Sequence, residues 1–400
     1  MIQLSICLPT RNRQTYCIET IRALARSDRT DFEVLVGDNS DDGSILAEFF
    51  ETELKDERFK LVGPEDKVLP MVDNWERLAG LARGRWLSVI GDDDYIDPKL
   101  VLLLKYYERL YPDVEAVGWA RMNFNWPDNR PTPALATVPV SHETLVAVKS
   151  IMADRLYRWT EGKSRPAAGF GAYHGAVRKS LMERIKRKFG GRYFEHPVVD
   201  FESSCKVIRE AKTLVHCQRP FSVLGACAAS NSAGARTRKK TDEHAKAFKT
   251  ESAGTVDMDD PIFPFPLTGE GVSNCAVIAS TTSWFCRKYG IDLTGFPENF
   301  ASAAMDECNN TVVEEDYELK KAYFERGFAA WEGGKWRECF KPMPFWGERS
   351  FNELSGVLND MLYIQEASVP ARTPAEFYDF GEHTIISAEL AASGARAFAR

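Results

Sequence analysis

Along its first 110 residues the chain alternates between two hydrophobic periods. Residues 2–8 read as a short apolar strand, and 14–26 set Ile18, Ile21, Leu24 and Ala25 on one face of a helix. The pairing recurs three times: strand 32–37 with helix 44–54, strand 59–62 with helix 69–82, and strand 85–90 with helix 98–110. Pro98 suits the first turn of that last helix, and Trp75 shares the apolar face of helix 69–82 with Val72, Leu78, Ala79 and Ala82, so it reads as core. Strand–helix alternation of this kind predicts an α/β fold with a doubly wound, mostly parallel sheet, in which ligands bind outside the carboxyl ends of the strands.

Past residue 110 the pattern loosens. Strands are expected at 115–119 and 122–126, and a loop at 125–139, which holds Pro127, Pro131, Pro133 and Pro139. A helix follows at 141–156, then strand 169–176, helices 179–188 and 199–211, and an extended stretch at 213–225. Residues 226–260 are small, polar and charged and read as a mobile loop or linker. Residues 261–400 are helix-rich in pattern and aromatic, and Trp331, Trp336, Phe340, Phe345 and Trp346 are expected in the core of a helical subdomain. The expected organisation is a domain over 1–225, with halves 1–110 and 111–225, a linker over 226–260 and a helical C-terminal subdomain over 261–400.

Three strand ends carry polar loops. Pro9-Thr10-Arg11-Asn12-Arg13 follows the first strand, Asp38-Asn39-Ser40-Asp41-Asp42-Gly43-Ser44 the second, and Gly91-Asp92-Asp93-Asp94 the fourth. Three consecutive carboxylates repel one another, and a hard divalent cation shared with substrate phosphates would relieve that repulsion. The bland alternative is a solvated turn with Asp94 or Asp97 capping the next helix. One basic and two acidic loops meeting at one sheet edge favour a nucleotide–metal site. The second loop also looks like the start of an EF-hand, but its twelfth position is Phe49 where a bidentate Glu is required.

Composition narrows the class. With 44% apolar and 27% charged residues the chain has the make-up of an ordinary water-soluble protein, and a net charge of −7 argues against nucleic-acid binding by bulk charge. Nine cysteines, none in a Cys-x-x-Cys spacing, argue against a zinc knuckle or disulfide framework and fit a reducing compartment. No secretory leader or stretch of ~18 apolar residues is evident. The expected setting is cytoplasmic, with peripheral contact at the inner face of a membrane, through the C-terminal region, as the alternative.

Taken together the loops resemble glycosyltransferase family 2, which has the GT-A fold. Pro9-Thr10-Arg11-Asn12 is similar to its P-[TS]-[YR]-N opening, Asp38–Ser44 to its DDGSxD loop, and residues 84–98 to its G-[ER]-[YW]-[IL]…DxDD-[YW]-x-x-P segment. The likeness is strong over residues 1–110 and weaker to about 230. It implies that Pro9, Thr10, Arg11 and Asn12 hold the nucleobase and ribose of a nucleotide sugar and that Asp38, with Asn39 beside it, accepts from the base, as a uracil imide would require. Register on Tyr95 and Pro98 puts the metal-binding carboxylate at Asp93, with Asp92 toward the ribose and Asp94 in support; Gly91 stands where many members carry the first Asp. Phe194–Glu202 resembles the family's ED segment, which implies Asp200 as the general base that deprotonates the acceptor, with Glu195 and His196 in reserve; the plain reading of Asp200 is a helix N-cap. Asn74 is a further donor-binding candidate, and Arg236 and Arg238 candidate diphosphate clamps. His174 could face an acceptor, though a satisfied structural histidine fits as well.

The implied function is a metal-dependent (Mn²⁺ or Mg²⁺), inverting glycosyltransferase that moves a sugar from a nucleotide sugar, UDP-linked by preference, to a hydroxyl of a glycan, lipid-linked or protein acceptor. The role suggested is in polysaccharide or glycoconjugate synthesis, and the oligomeric state is open. Two other readings are a non-catalytic nucleotide- or glycan-binding module and a sugar nucleotidyltransferase. The latter normally opens with a Gly-rich loop that Pro9–Asn12 lacks.

Overall fold

The computed structural model describes residues 1–130, 134–166, 169–230, 260–347 and 355–394. Alternation of apolar side chains decides how its first strands are used. In β1 (Leu4–Thr10), Leu4, Ile6 and Leu8 enter one apolar layer and Cys7 the layer on the opposite face. In β2 (Phe32–Asp38), Val34 and Val36 face the first layer and Leu35 the second. Helices cover both faces, which is the α/β layering expected. α1 (Gln14–Ala25) and α2 (Ser44–Thr52) lie on the first side, and α3 (Met71–Leu81) lies on the second, burying Val72, Trp75 and Leu78.

β3 (Phe59–Val62) and β4 (Trp86–Val89) complete a parallel half-sheet in the order β3-β2-β1-β4. After β4 come the aspartates, the two-residue β5 (Tyr95–Ile96) and α4 (Leu100–Leu110), which packs in the first layer. The expected strands at 115–119 and 122–126 are one continuous β6 (Val114–Asn125), and part of the expected proline loop is β7 (Leu135–Pro139). The expected helix 141–156 is shorter: β8 (Thr144–Val146) precedes α5 (Lys149–Tyr157).

β9 (Gly175–Arg178) begins later than expected, because residues 169–174 turn across the end of β4, where Tyr173 makes an isolated bridge to Val89. α6 (Lys179–Lys188), α7 (Val199–Glu210) and β10 (Thr213–Ala226) follow. β9 is antiparallel to both β4 and β6, and β10 runs parallel to β6. The sheet is therefore mixed: parallel throughout its N-terminal half, largely antiparallel beyond. β1, β2, β4, β6 and β10 nevertheless all end at one edge.

In the C-terminal region α8 (Asn274–Lys288), α9 (Phe296–Asn309) and α10 (Glu314–Ala330) enclose a third apolar cluster. Trp331 and Phe340 are buried in it and Trp336 and Phe345 pack against it, as expected, while Trp346 is exposed. The region is not helical to its end. β11 (Gly356–Leu358) and β12 (Met361–Gln365) pair with each other, and β12 adds to β7 at the edge of the main sheet. α11 (Pro374–Glu382) then buries Phe377 and Tyr378 in the first layer. Among the described residues no helix is long and apolar enough to cross a membrane.

Candidate active site at the carboxyl edge of the sheet

The first two loops are bound to each other. Asn12 takes the left-handed conformation (φ 54°), which Asn tolerates better than most residues. That conformation lets its N–H donate to Ser40 Oγ (2.9 Å) and its side chain exchange two bonds with Asp41, Nδ2 to Oδ2 at 2.9 Å and Asp41 N–H to Oδ1 at 3.0 Å. Arg11 lies 3.9 Å from Asp41, and Pro9 is half-buried at the end of β1. Asn39 clamps Leu69 in both directions at 2.9 Å. Asn74 Nδ2 donates to Gly37 O (3.0 Å) while its Oδ1 accepts from Arg77 Nε (2.7 Å). Asn12, Asn39 and Asn74, expected to bind nucleotide, thus spend their amides on the framework of the site.

Asp38 is different. It is fully buried at the end of β2, its Oδ1 accepts from Ser40 N–H at 2.9 Å, and its Oδ2 has no hydrogen-bond partner. A buried carboxylate oxygen without a donor is costly. Arg77, which sequence reasoning did not single out, donates to the Asp38 carbonyl at 2.6 Å.

The three aspartates are sharply unequal. Asp94 accepts four hydrogen bonds: Gly225 N–H on Oδ1 (2.8 Å), and Gly91 N–H (2.7 Å), the Tyr173 hydroxyl (2.8 Å) and His174 Nε2 (2.9 Å) around Oδ2. Burial alone would push its carboxyl up, but the His174 ring, the Gly225 N–H and the Tyr173 hydroxyl hold it below the usual carboxylate range. Three of these donors converge on Oδ2 and one on Oδ1, so Asp94 as folded is engaged with the framework around it. It is an anchor that ties β4, β10 and the 171–174 turn together. His174, buried, also bonds Ser222 Oγ (2.8 Å) and serves that anchor rather than an acceptor.

Asp92 is fully buried and gripped by Arg13, Nη2 on Oδ1 at 2.6 Å and Nε on Oδ2 at 3.1 Å, with Thr10 Oγ1 on Oδ2 at 2.7 Å. Burial lifts its carboxyl to about 7, against the pull of Arg13. Asp92 and Thr10 are thereby committed to each other and to Arg13, not turned outward toward a ribose. Asp93 has one oxygen, Oδ2, on the Ser230 hydroxyl and the Cys227 N–H (3.4 Å), while Oδ1 faces Arg13 Nη1 at 3.5 Å. Its backbone is fixed by Trp126 Nε1 on the carbonyl (2.9 Å), and the carbonyls of Asp92 and Asp94 both accept from Thr20 Oγ1 (3.0 and 2.9 Å).

Two glycines are required by this packing. A Cβ at Gly91 would stand 2.8 Å from Asp94 Oδ2 and 3.0 Å from Asp93 Oδ1, and one at Gly225 would stand 1.7 Å from the Asp93 carbonyl oxygen. An aspartate at position 91, as in the family pattern, has no room.

Asp200 lies in the first turn of α7, whose N-cap is Val198 with no capping side chain, so Asp200 is not the cap. Burial raises its carboxyl above the usual range; the N–H groups of Phe201 and of Asp200 itself, then Arg121 and Arg165, pull the other way. The 171–174 turn joins this helix to the aspartates. A Cβ on Gly171 would lie 3.2 Å from the Asp200 carbonyl, Ala172 N–H donates to Ser203 Oγ (3.1 Å), and Tyr173 and His174 hold Asp94. The two reserve bases are otherwise employed. Glu195 pairs with Lys206 (3.0 Å) and Lys288 (2.6 Å), and His196, buried against Trp284, accepts from Val198 N–H at 3.1 Å and is driven to about 3 by burial and then by Lys288. Arg236 and Arg238 lie outside the described residues.

Among the described residues no three His, Cys, Asp or Glu side chains gather as a metal site. A cation shared with a substrate diphosphate needs only one or two carboxylates, however. Asp93 is buried, but its Oδ1 has only the 3.5 Å contact to Arg13, which fits that requirement.

Residues 5–166 match the family model described as glycosyl transferase family 2. No curated protein sequence matches the chain. Among solved structures, the chain is similar to residues 1–349 of TarS from S. aureus in complex with UDP-GlcNAc, at 14% identity over 84% of this chain and 89% of that one, with a TM-score of 0.45. It is also similar to the mannosyltransferase PcManGT from Pyrobaculum calidifontis in complex with GDP-Man and Mn²⁺, at 15% identity over 84% and 85% of the two chains, with a TM-score of 0.37.

Proposed function

Since residues 5–166 belong to glycosyltransferase family 2, we propose that this chain moves a sugar from a UDP-sugar to an acceptor hydroxyl, with inversion in one in-line displacement. The observation that carries the reading is Asp38. It ends β2 at the carboxyl edge of the sheet, buried, with Oδ2 unpartnered. Because Oδ1 already accepts from Ser40, Asp38 offers one acceptor. Uracil presents one imide N–H, whereas guanine presents two adjacent donors that suit both oxygens of a carboxylate. The geometry therefore favours UDP over GDP. Pro9 pairs in register with Gly37, Arg77 donates to the Asp38 carbonyl and Arg11 lies 3.9 Å from Asp41, and Arg236 and Arg238 remain proposed diphosphate contacts.

Asp93 would hold Mn²⁺ or Mg²⁺, which when bound supplies positive charge for the departing diphosphate. The chain's own residues set the rest. Thr20, Trp126 and Gly225 fix the backbone of the aspartate loop, so Asp93 is presented without reorganisation. Asp200 takes the acceptor proton on its carboxylate; burial raises that carboxyl, which makes it a stronger base than an unperturbed aspartate. The proposed setting is cytoplasmic polysaccharide or glycoconjugate synthesis.

The test is thermal stabilisation by UDP, GDP, CDP and ADP, each with and without Mn²⁺, followed by turnover of UDP-sugars. UDP should stabilise most, by ~2.7 kcal/mol at a hundred times its Kd, and Asp38→Ala should erase that preference. Equal stabilisation by all four would refute the base assignment, and UDP binding without any donor turnover would make the chain a binding module.

A further inference from the structure

Arg13 has no part in the chemistry above, yet it occupies the centre of the site. Nε and Nη2 grip the fully buried Asp92, and Nη1 stands 3.5 Å from Asp93 Oδ1. Asp93 Oδ2 is already taken by Ser230 and the Cys227 N–H. Oδ1 is thus the side from which a cation would approach, and a guanidinium stands on that side. Its side chain is 22% exposed, so it is not sealed from solvent.

We propose that Arg13 is a resident counter-ion that keeps divalent cations off Asp93 until a nucleotide diphosphate draws Nη1 away, so that cation and nucleotide bind as a coupled pair. The inference rests on the nucleotide-sugar reading above. Like charges exclude one another from a low-dielectric site, so a cation entering alone must displace Nη1 with nothing to receive it. A phosphate oxygen gives Nη1 a charge-assisted bond, which is stronger than a 3.5 Å contact. The fork is a rigid plane, so drawing Nη1 away turns the whole guanidinium and loosens its contacts to Asp92, whose Oδ2 keeps the Thr10 hydroxyl. Linkage then requires that nucleotide and cation raise each other's affinity by one common factor.

The test measures Mn²⁺ affinity directly, by the electron paramagnetic resonance of free Mn²⁺, on the intact protein with and without saturating UDP. Wild type should bind Mn²⁺ at least about tenfold tighter with UDP than without. Arg13→Gln should bind Mn²⁺ alone about tenfold tighter than wild type, and its gain from UDP should fall below about threefold; a merely structural Arg13 would not move that ratio. If R13Q fails to fold because Asp92 is left unpaired, the double variant R13Q/D92N is compared with D92N, and the same tightening is expected. Unchanged Mn²⁺ affinity in these variants, with UDP still bound, would overturn the role of Arg13 alone. Failure of wild type to bind UDP with or without Mn²⁺ would overturn the nucleotide-sugar reading, and this inference with it.

Discussion

The Tyr378 hydroxyl donates to Asp97 Oδ2 at 3.0 Å, joining residues 281 positions apart. Asp97 closes the strand that follows the aspartates, and its N–H bonds the Phe221 carbonyl at 2.9 Å. Arg219, also fully buried, donates to the same tyrosine oxygen at 3.1 Å. The C-terminal helix therefore braces the back of the aspartate loop, and a Cβ on Gly225 would touch Pro374 as well as Asp93. Burial raises the Asp97 carboxyl to about 6. Tyr378→Phe keeps the ring packing and removes the donor to a buried carboxylate, so it should cost roughly 1–3 kcal/mol of unfolding free energy. Urea denaturation at pH 7.5 measures this, and a loss below 0.5 kcal/mol on that scale would mean the brace is unimportant.

Asp93 and Asp94 are neighbours in sequence with different bonding partners and different proposed duties. Asp94→Asn places an amide NH₂ among four donors, so it should destabilise by ~3 kcal/mol or more. Asp93→Asn should leave the melting temperature within a few degrees of wild type, roughly the shift that 1 kcal/mol gives, yet abolish Mn²⁺ binding in the presence of UDP. Paired melting curves and Mn²⁺ titrations of the two variants decide it. If D94N melts like wild type, the anchor assignment is wrong.

Asp200→Asn should bind UDP as wild type does and lose transfer by roughly 10²–10⁴-fold, the usual contribution of a general base. Because burial raises the Asp200 carboxyl, the acid limb of kcat/KM should lie above the 3.8 of an ordinary aspartate. Transfer at full rate by D200N, or an acid limb at the ordinary value, would remove Asp200 from the mechanism.

Glu202 gives a pH-dependent stability. It is fully buried 2.6 Å from Lys206, and burial lifts its carboxyl from 4.5 to about 7. Between those values the folded state holds a proton that the unfolded state has lost. This contribution is therefore full below pH 4.5, falls as pH rises toward 7 and is gone above it. Its size is on the order of 3 kcal/mol at most. Glu202→Gln should flatten the loss of stability between pH 4.5 and 7 relative to wild type, as read from urea midpoints at pH 5 and 7.5. Parallel curves for the two proteins would contradict the assignment.

What was legible in the sequence was local. The elements through residue 110 follow from apolar spacing, because a period of 2 or 3.6 is a property of neighbouring residues. The loop between Asn125 and Pro139 misled for the same reason: only Pro139, at its last position, falls within β7, which owes its place to β6 and to β12, more than 200 positions later. Arg13 stood in plain view within Pro9–Arg13, but nothing short-range says that its fork closes on Asp92. Thr20, Trp126 and Ser230 carried no signal, since a hydroxyl or an indole is recognised only by what it touches.

By itself the sequence determined that polar loops end three of the first four strands and that Asp38 and Asp92–Asp94 lie in them. Tertiary structure alone decided which oxygens remain available. Three of the four donors on Asp94 come from Tyr173, His174 and Gly225, and those on Asp93 Oδ2 from Cys227 and Ser230, all five at least 79 positions away. Three adjacent aspartates are chemically equal in the unfolded chain. They become anchor, counter-ion partner and proposed cation ligand only when the folded sheet gives each a different set of donors.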